Sequence, residues 1–476
     1  MLYQQFLNQV ERYPAAIAVC AGEEQVTYKE LLDRIDTLSN FMVQNGVCQG
    51  VVVSISFPNS IEFVVASFAT FKLGAVLLPL NVNYTDEEIE SYLKQASAKF
   101  LLGNDEQVNR ISKLKDELKC ISLEGDLSSS VHVDNRSVFV NKALIMFSSG
   151  STGGSKQIIR SYQNLVSEWG IARDTIEITS SDVFLCSVPL HHSHGFGNCL
   201  IAALLNGAKL VITIGEFNPR NVVKTLANHK VSIYPSATFM LKMLSRIRMR
   251  EEPDLTNLRL IYSAGAQLEL DVIKDFQKTF SKTPYQLYGS TETGAIAINV
   301  GGGELNSVGK PMVNTEVEVI GDDGEKLPVN QPGEIVVSSP SAATFYEGKP
   351  EQSSRTFKDG CYFTGDLGYL DEHGFLFITG RKKAMINVAG LKVDPEEVET
   401  VLLRMPQIKE VVVLGKLDGD YGELVKAVVV PESDVTETQI IEYSKQYLAE
   451  YKWPKNIEFR REIPKSPLGK ILRKYL

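Results

Sequence analysis

Helix-like and strand-like segments alternate through the N-terminal half of the chain, and this alternation restricts the fold more than any other feature. Thr27 lies three residues before Glu30, which is the spacing of a capping box, and apolar residues then recur at helical intervals up to residue 42. Residues 51–57 are rich in β-branched side chains and end at a Pro-Asn-Ser turn signal, after which residues 61–73 predict another helix. Strands separated by helices predict a parallel sheet that is covered on both faces.

The alternation continues beyond these first elements. Strands are predicted at residues 74–79, 100–102, 182–188, 209–214, 231–234 and 258–263, and helices from residue 85, at 198–205 and at 219–229. Ligands in such sheets bind beyond the carboxyl ends of the strands. We therefore expect the binding edge to include the loops at 147–156 and 263–268.

The last third of the sequence has a different texture. From about residue 317, short β segments are separated by Asp-Gly and Pro-Gly turns. From about residue 383, the pattern predicts a helix (395–404), a strand (410–414), a β-rich run (425–430) and a second helix (436–451). The expected fold is α/β, with a large N-terminal domain of layered, parallel-rich sheets and helices, a distorted β subdomain, and a small α+β C-terminal domain.

Length and composition exclude several classes of protein. At 476 residues the chain is long enough for two or more domains, and its formal net charge of −9 argues against a general binder of nucleic acid or anionic membranes. The six cysteines form no C-x-x-C pair, which is typical of a reduced cytoplasmic protein. No run approaches the roughly 18 apolar residues of a membrane span, and the N-terminus lacks a signal-peptide pattern. A cytoplasmic location without membrane insertion is expected.

A glycine-rich loop, FSSGSTGGSK at 147–156, follows the apolar run at 143–146. Glycines let the backbone approach a ligand, and successive N–H groups, hydroxyls and a lysine can surround an anion. The loop is not a Walker A loop, because counting from Gly150 would require glycine at position 155 and serine or threonine at 157, where Ser155 and Gln157 stand. The residues of the loop alone leave two interpretations open: a phosphate-binding loop or a flexible turn.

Four further stretches occur downstream in a fixed order: LYGSTETG at 287–294, YFTGDLG at 362–368, GRKKAMINVAG at 380–390 and PKSPLGK at 464–470. Together with the glycine-rich loop, they resemble the adenylate-forming superfamily, which comprises acyl- and aryl-CoA synthetases, nonribosomal peptide adenylation domains and firefly-type luciferases. The resemblance extends from residue 27 to Lys470, essentially the whole chain, and is closest in pattern to the acyl-CoA synthetases.

The resemblance implies that a carboxylate attacks the α-phosphate of ATP to give an acyl-adenylate, which then meets a thiol. The loop residues implied to hold the β- and γ-phosphates are Ser148, Ser149, Gly150, Ser151, Thr152, Gly153 and Lys156. Thr291 would contact phosphate and Glu292 would bind Mg²⁺, a cation that prefers oxygen ligands. Without the surrounding motif, Glu292 would be interpreted as an ordinary surface carboxylate.

The resemblance also assigns the nucleoside contacts. Asp366 would accept hydrogen bonds from the ribose hydroxyls, with Arg381 nearby and Tyr288 within the nucleotide site. Gly265 and Ala266 belong to a stretch, 264–268, that would lie against adenine. On its own that stretch predicts no more than a loop.

The resemblance makes Lys470 the decisive cation for adenylation. A lysine ammonium is a compact charge on a flexible stem, suited to bridging carboxylate, α-phosphate and ribose. The composition of the basic tail alone would favour a solvated lysine. In the family the C-terminal domain rotates about a hinge two residues after the motif arginine, which places the hinge here at Lys383 and the domains at 1–382 and 383–476. Gly390 would line the passage of the phosphopantetheine arm.

The segment PLHHSHGFG at 189–197 holds three of the six histidines. A metal site is disfavoured because no carboxylate or cysteine accompanies the histidines and their spacing does not suit one helix face. The resemblance instead places His192 beside the carboxylate site. Residues 196–203 contain no acidic residue to pair with a substrate ammonium, so an uncharged acyl or aryl acid is favoured over an α-amino acid.

Two positions depart from the family pattern. Ser155 replaces a common proline, and Ala384 stands where a polar residue is frequent after the hinge. Three alternatives to an acid–CoA ligase stay open. The first loads the acid onto the phosphopantetheine arm of a carrier protein, the second is a non-catalytic acyl or nucleotide binder, and the third is a luciferase-like oxygenase. Either a monomer or a homodimer is compatible with the sequence.

Overall fold

The computed structural model describes residues 2–114, 117–125, 127, 141–148, 156–248, 252–301, 303–382, 385–464 and 476. The chain divides into two compact units. Unit 1 comprises Met1–Val82, Leu93–Met146 and Gln157–Lys382, and unit 2 comprises Asn83–Tyr92, Phe147–Lys156 and Lys383–Leu476. Unit 2 therefore contains two short segments that the sequence-based division had placed in the N-terminal domain.

The first sheet has six strands, in the order Lys119–Ser122, Phe100–Gly103, Val52–Ser56, Val76–Pro79, Leu144–Ser148 and Lys156–Arg160. The first five are parallel to their neighbours. Ser54 and Ile55, in the middle of Val52–Ser56, are fully buried, as expected for a strand covered on both faces. This sheet leads directly into and out of the glycine-rich loop.

The second sheet lies in unit 1 and has nine strands, in the order Lys310–Pro311, Gly294–Ile298, Tyr285–Ser290, Leu260–Ala264, Ile233–Ala237, Val183–Cys186, Lys209–Ile212, Ile17–Ala21 and Glu24–Thr27. Its centre is parallel, and its two edges are antiparallel. The alternation predicts one parallel sheet, but the structure has two parallel-rich sheets. Two such sheets agree with the layered arrangement expected for the large domain.

Two five-stranded sheets form the remainder. The one in unit 1 has the order Glu316–Ile320, Gly333–Ser338, Cys361–Leu370 and Phe357–Lys358, with Leu376–Arg381 also paired to Cys361–Leu370. The one in unit 2 has the order Leu391–Val393, Ile386–Val388, Gly422–Pro431 and Ile408–Asp418, with Asn456–Phe459 also paired to Gly422–Pro431. Irregular register between Cys361–Leu370 and both Gly333–Ser338 and Leu376–Arg381 accounts for the distorted character of the first of these sheets.

Helices cover the sheets, and several of them begin where the local sequence predicts. The α-helices are Leu2–Arg12, Tyr28–Gln44, Ile61–Lys72, Asp86–Gln95, Asp105–Ile111, Tyr162–Ile176, Ser193–Gly195, Ala202–Leu204, Pro219–Asn228, Thr238–Ser245, Leu270–Phe280, Pro350–Thr356, Pro395–Leu402 and Glu437–Tyr447; Phe196–Ile201 is a π-helix and Glu450–Lys452 a 3₁₀-helix. Thr27 forms the predicted capping box with Glu30, which satisfies backbone donors at the helix start. Among the helices that the structure describes, none combines the length and apolarity needed to cross a bilayer.

Some boundaries differ from the predicted ones. The predicted strand at 231–234 is Ile233–Ala237, and the predicted helix at 198–205 begins earlier, as the π-helix Phe196–Ile201. The predicted strand at 410–414 is part of the longer Ile408–Asp418, which pairs along most of its length with Gly422–Pro431. Pairing with a strand that is distant in the sequence extends this strand, and rules based on local sequence do not take such pairing into account.

Candidate active site

Part of the predicted site lies outside the described residues. This applies to Ser149, Gly150, Ser151, Thr152 and Gly153 of the glycine-rich loop, to the hinge residue Lys383 and to Lys470. Ser148 is the last residue of Leu144–Ser148, and Lys156 is the first of Lys156–Arg160, so the loop joins neighbouring strands of the six-stranded sheet. The roles of all these residues stay predictions.

Three residues from three different sequence motifs form one cluster in unit 1. Asp366 and Arg381 are cross-strand partners between Cys361–Leu370 and Leu376–Arg381, and the arginine Nε forms an ion pair with Asp366 Oδ1. The Tyr288 hydroxyl donates a hydrogen bond to Asp366 Oδ2 at 2.6 Å. The Asp366 side chain is only 7% exposed, so its charge needs these two donors.

The electrostatics of the cluster follow from burial and the central carboxylate. Burial, and then the Asp366 charge, raise the pKa of Tyr288, so the phenol stays protonated as a donor. Partial burial opposes the charged form of Arg381, but Asp366, with smaller contributions from Tyr288 and Tyr362, raises the pKa of the guanidinium. The cluster thus presents a charged carboxylate with a fixed orientation, which is the acceptor that ribose hydroxyls would require.

A second carboxylate, Glu292, lies in the turn between Tyr285–Ser290 and Gly294–Ile298. Its side chain is largely buried, and Oε1 accepts a 2.7 Å hydrogen bond from the Tyr346 hydroxyl. Its backbone carbonyl accepts a 2.7 Å hydrogen bond from the backbone N–H of Ala343. Burial, and then the carboxylate, raise the pKa of Tyr346, which keeps its hydroxyl proton available. Glu292 is therefore a fixed carboxylate and not a solvated surface residue.

The carbonyls on both sides of Glu292 are bound by one arginine. Arg160 donates from Nη1 to Thr291 O at 3.3 Å and from Nη2 to Thr293 O at 3.3 Å. Nη2 also lies 3.0 Å from Glu168 Oε2, in an ion pair whose side chains are 2% and 9% exposed. Burial raises the pKa of Glu168, and Arg160 opposes that shift. The arginine thus links the helix Tyr162–Ile176 to the turn that carries Glu292.

The stretch predicted to lie against adenine follows the strand Leu260–Ala264. Gly265 has a φ of +91°, a conformation that glycine adopts without strain. The hydroxyl of Thr238 lies 2.7 Å from that of Ser263 and donates to Ala266 O at 3.1 Å. The chain is thereby fixed as it leaves the strand, at the carboxyl edge of the parallel sheet where a ligand is expected.

The three histidines of the segment at 189–197 are partly buried. His194 Nε2 lies 3.0 Å from Ser236 O, and its Nδ1 lies 3.0 Å from Asn198 Nδ2. The ring Nδ1 of His192 accepts a 3.4 Å hydrogen bond from the backbone of His194. Burial lowers the pKa of His192 and brings those of His191 and His194 to about 3 and about 4. These imidazoles are neutral near pH 7.

In unit 2, Gly390 lies in the turn between Ile386–Val388 and Leu391–Val393, with a φ of +89°. Its N–H donates to Asn387 Oδ1 at 2.9 Å. The turn is therefore well defined, while the role predicted for Gly390 toward a pantetheine arm stays a prediction.

The sequence interpretation did not identify Arg160, Glu168 or Tyr346. A signal was present for the first two, because an arginine directly after the apolar Ile158-Ile159 and a glutamate on an apolar helix face are both unusual unless paired. Tyr346 carried no such signal, since it stands among ordinary loop residues.

Unit 1 is thus a layered α/β fold that holds two carboxylates in fixed orientation, Asp366 by an arginine and a tyrosine and Glu292 by a second tyrosine. The AMP-binding enzyme family matches residues 6–347, and the AMP-binding enzyme C-terminal domain matches residues 397–470. The chain belongs to the AMP-binding enzyme family.

Relatives and solved structures extend these matches over the whole chain. The chain is 31% identical to an oxalate–CoA ligase of Arabidopsis thaliana, covering 98% of this chain and 96% of that protein. It is 28% identical to a 2-succinylbenzoate–CoA ligase of Geobacillus sp., covering 97% and 94%. A double mutant of o-succinylbenzoate CoA synthetase from Bacillus subtilis, bound with a product analogue, superposes with a TM-score of 0.91 at 25% identity, covering 99% of this chain and 98% of that one.

These comparisons confirm the predicted superfamily and the predicted α/β fold with a large N-terminal and a small C-terminal domain. They also confirm the prediction of an AMP-forming acid–thiol ligase of the acyl-CoA synthetase type.

Proposed function

We propose that this protein activates an uncharged acyl or aryl carboxylic acid with ATP and transfers it to the thiol of coenzyme A. In the first step a carboxylate oxygen forms a bond to the α-phosphorus of ATP and pyrophosphate leaves. In the second, the thiolate sulfur attacks the adenylate carbonyl, AMP leaves and a thioester is formed. The observation that carries the proposal is the cluster of Tyr288, Asp366 and Arg381, which joins three separate nucleotide motifs in one hydrogen-bonded group.

The described residues divide the work of the first step. Asp366 accepts hydrogen bonds from the ribose hydroxyls, and Tyr288 and Arg381 hold its carboxylate in place. Phosphoryl-type transfer depends mostly on positioning and charge neutralisation. Thr291 contacts phosphate, and Glu292 supplies a carboxylate oxygen of the kind Mg²⁺ prefers.

The donors present fit a magnesium ion that is bound mainly through the nucleotide. Among the residues that the structure describes, no group of three or more His, Cys, Asp or Glu side chains could hold a metal on its own. Mg²⁺ in nucleotide sites is usually bound by one or two carboxylates together with substrate phosphates. Bound there, the ion would neutralise phosphate charge, and Glu292 is the protein ligand we propose.

The remaining roles belong to the other predicted site residues. Ser148 and Lys156, with the loop between them, hold the β- and γ-phosphates. Lys470 supplies the cation for adenylation only, and Lys383 is the hinge that lets the C-terminal domain change orientation before the thiol enters past Gly390. His192 and its neutral neighbours line the carboxylate end of the acid site.

The choice of acid follows from charge compensation around the π-helix. Residues 196–203 contain no acidic side chain, but the Glu168 carboxylate approaches so closely that a Cβ on Gly197 would lie 2.2 Å from its Oε1. Because Arg160 already neutralises Glu168, that carboxylate has no spare charge for a substrate ammonium. An α-amino acid is therefore disfavoured, and an acid with an uncharged acyl or aryl group is favoured.

Coenzyme A is the acceptor we propose, because the relatives are CoA ligases over nearly their full lengths. A carrier-protein phosphopantetheine presents the same arm and is the alternative acceptor. The scattered cysteines further support a cytoplasmic location.

The test is pyrophosphate release by the purified protein across a panel of fatty, aryl, dicarboxylic and amino acids, with Mg²⁺ and ATP. The best acid is then assayed for thioester formation with CoA and with holo carrier proteins. Thioester formation with CoA supports the proposal. Acid-dependent pyrophosphate release with thioester only on a carrier protein would replace the acceptor, and activity restricted to α-amino acids would refute the substrate class.

A further inference from the structure

The turn Thr291–Thr293 is fixed at every carbonyl by donors from distant parts of unit 1. Thr291 O and Thr293 O are bound by the two terminal nitrogens of Arg160. Thr293 O also accepts from the Ser341 hydroxyl at 2.8 Å, and the carbonyl between them accepts from the backbone of Ala343. A turn held in this way cannot rotate its central side chain by moving its backbone.

Arg160 is suited to this task by its shape and its burial. A guanidinium presents several donors in a rigid plane, so one side chain can bind two carbonyls and a carboxylate at once. Its side chain is 2% exposed, and Glu168 supplies the compensating charge. Glu168 is itself confined, because a Cβ on Gly294 would lie 2.3 Å from its Oε1. The Arg160–Glu168 pair therefore packs against the turn Thr291–Thr293, whose carbonyls Arg160 binds.

Tyr346 fixes the side chain that the turn carries. Its hydroxyl donates to Glu292 Oε1 at 2.7 Å, and among the described residues Oε2 of Glu292 accepts no hydrogen bond. The Tyr346 ring packs against Phe357, with centroids 5.1 Å apart, so the phenol is held from behind. One oxygen of Glu292 is thus engaged, while the other is available to a cation.

We propose that Arg160 and Tyr346 are positioning residues that orient the Glu292 carboxylate toward the divalent cation of the nucleotide. Neither residue contacts the nucleotide itself, and each acts through Glu292. The inference rests on the proposed role of Glu292 as the protein ligand of that cation. It assigns a function to two residues that lie outside all five nucleotide motifs.

Tyr346→Phe is the sharpest variant, because it removes one hydroxyl and keeps the ring and its packing. The expected result is an increase of about tenfold in the Mg²⁺ concentration needed for half-maximal pyrophosphate release, since a hydrogen bond to a charged group is lost. The KM for the acid is expected to change less than twofold. Tyr28→Phe is the matched control, because the buried Tyr28 hydroxyl donates to Ala208 O at 2.8 Å in the core.

Arg160→Lys tests the second positioning residue while keeping the charge that Glu168 needs. A single ammonium cannot reproduce the planar fork, so the same shift in Mg²⁺ dependence is expected. If this variant does not fold, Arg160→Met combined with Glu168→Gln removes the pair without leaving a buried charge. The Tyr346→Phe result stands independently of either.

A binding measurement separates positioning from a purely structural role. Mn²⁺ binding to the protein in the presence of ATP, followed by electron paramagnetic resonance, is expected to weaken about tenfold in Tyr346→Phe and Arg160→Lys. Binding of ATP without metal is expected to be unchanged, as is thioester formation from a supplied acyl-adenylate.

The outcomes are distinct. If Glu292→Gln leaves Mn²⁺ binding unchanged, the proposed role of Glu292 fails and this inference fails with it. If Glu292→Gln weakens Mn²⁺ binding but Tyr346→Phe and Arg160→Lys behave like Tyr28→Phe, the proposed function stands and the positioning role is refuted.

Discussion

Replacing Asp366 by asparagine tests the ribose site with a nearly isosteric change. The substitution removes the negative charge that Tyr288 and Arg381 surround but keeps the shape of the side chain. Hydrogen bonds to charged groups contribute about 1.5–3 kcal/mol, and breaking a fully buried ion pair costs about 3–5 kcal/mol. Because Arg381 is 36% exposed, water screens its lost partner, and the expected loss of stability is about 2–3 kcal/mol.

The same change weakens nucleotide binding if Asp366 accepts the ribose hydroxyls. A loss of about 1.5–3 kcal/mol corresponds to a rise of roughly 10–100-fold in the KM for ATP. The KM for the acid is expected to stay within about twofold, because the proposed contacts of Asp366 are with the nucleoside. Steady-state pyrophosphate release at saturating acid measures the KM for ATP. The same assay at saturating ATP measures the KM for the acid.

Asp182→Asn is the matched control. Asp182 pairs with Arg259 Nε at 2.9 Å, and the two side chains are 6% and 40% exposed, close to the values for Asp366 and Arg381. Asp182 and Arg259 lie directly before the strands Val183–Cys186 and Leu260–Ala264. They are therefore at the edge of the sheet opposite the proposed site. Asp182→Asn is expected to lower stability by a similar amount without changing the KM for ATP. Equal KM values for ATP in the two variants would refute the ribose assignment.

Three further predictions follow from other parts of the chain. Lys470→Ala is expected to abolish adenylate formation but to leave thioester formation from supplied acyl-adenylate largely intact; equal loss of both half-reactions, measured separately, refutes its role. In unit 2, Lys452 Nζ lies 2.8 Å from both Glu88 and Glu397, and the lysine side chain is 2% exposed. Lys452→Met is therefore expected to destabilise unit 2 by about 3–5 kcal/mol. Unchanged amide exchange across residues 385–464 would contradict this expectation. Burial, with a smaller contribution from His192, lowers the pKa of His194 to about 4, so between about pH 6.5 and 4 the unfolded chain binds a proton that the folded chain does not. Stability contributed by neutral His194 is therefore lost as the pH falls through that window. The melting temperature of His194→Gln is expected to depend less on pH there, and an unchanged slope refutes the assignment.

Local rules predicted the features that depend on neighbouring residues. The capping box of Thr27 and Glu30 appears as expected, because both donors and acceptors lie within one turn. Motif resemblance singled out Asp366 and Arg381, whose role toward the nucleotide stays a prediction, and the structure adds that cross-strand register brings the two residues together. The fold class followed from the alternation of strands and helices, because parallel strands require long crossovers.

Features that depend on distant contacts were not predictable in the same way. Arg160 and Thr293 are far apart in the sequence and meet only when the two parallel-rich sheets are assembled. Tyr346 reaches Glu292 from a loop with no periodic pattern. The π-helix Phe196–Ile201 begins before the predicted helix, at a place where Gly197 admits the Glu168 carboxylate. Patterns read from a single sequence give no information about contacts between such distant residues.

Activation of a carboxylic acid as an adenylate and its transfer to CoA can be tested directly with an isotopic label. When the thiol displaces AMP, the bridging oxygen that came from the acid stays with the phosphate. With acid labelled in both carboxylate oxygens by ¹⁸O, together with ATP, Mg²⁺ and CoA, mass spectrometry is predicted to show one ¹⁸O in AMP and one in the thioester carbonyl. Formation of ADP and phosphate, or of AMP without the label, would contradict this mechanism.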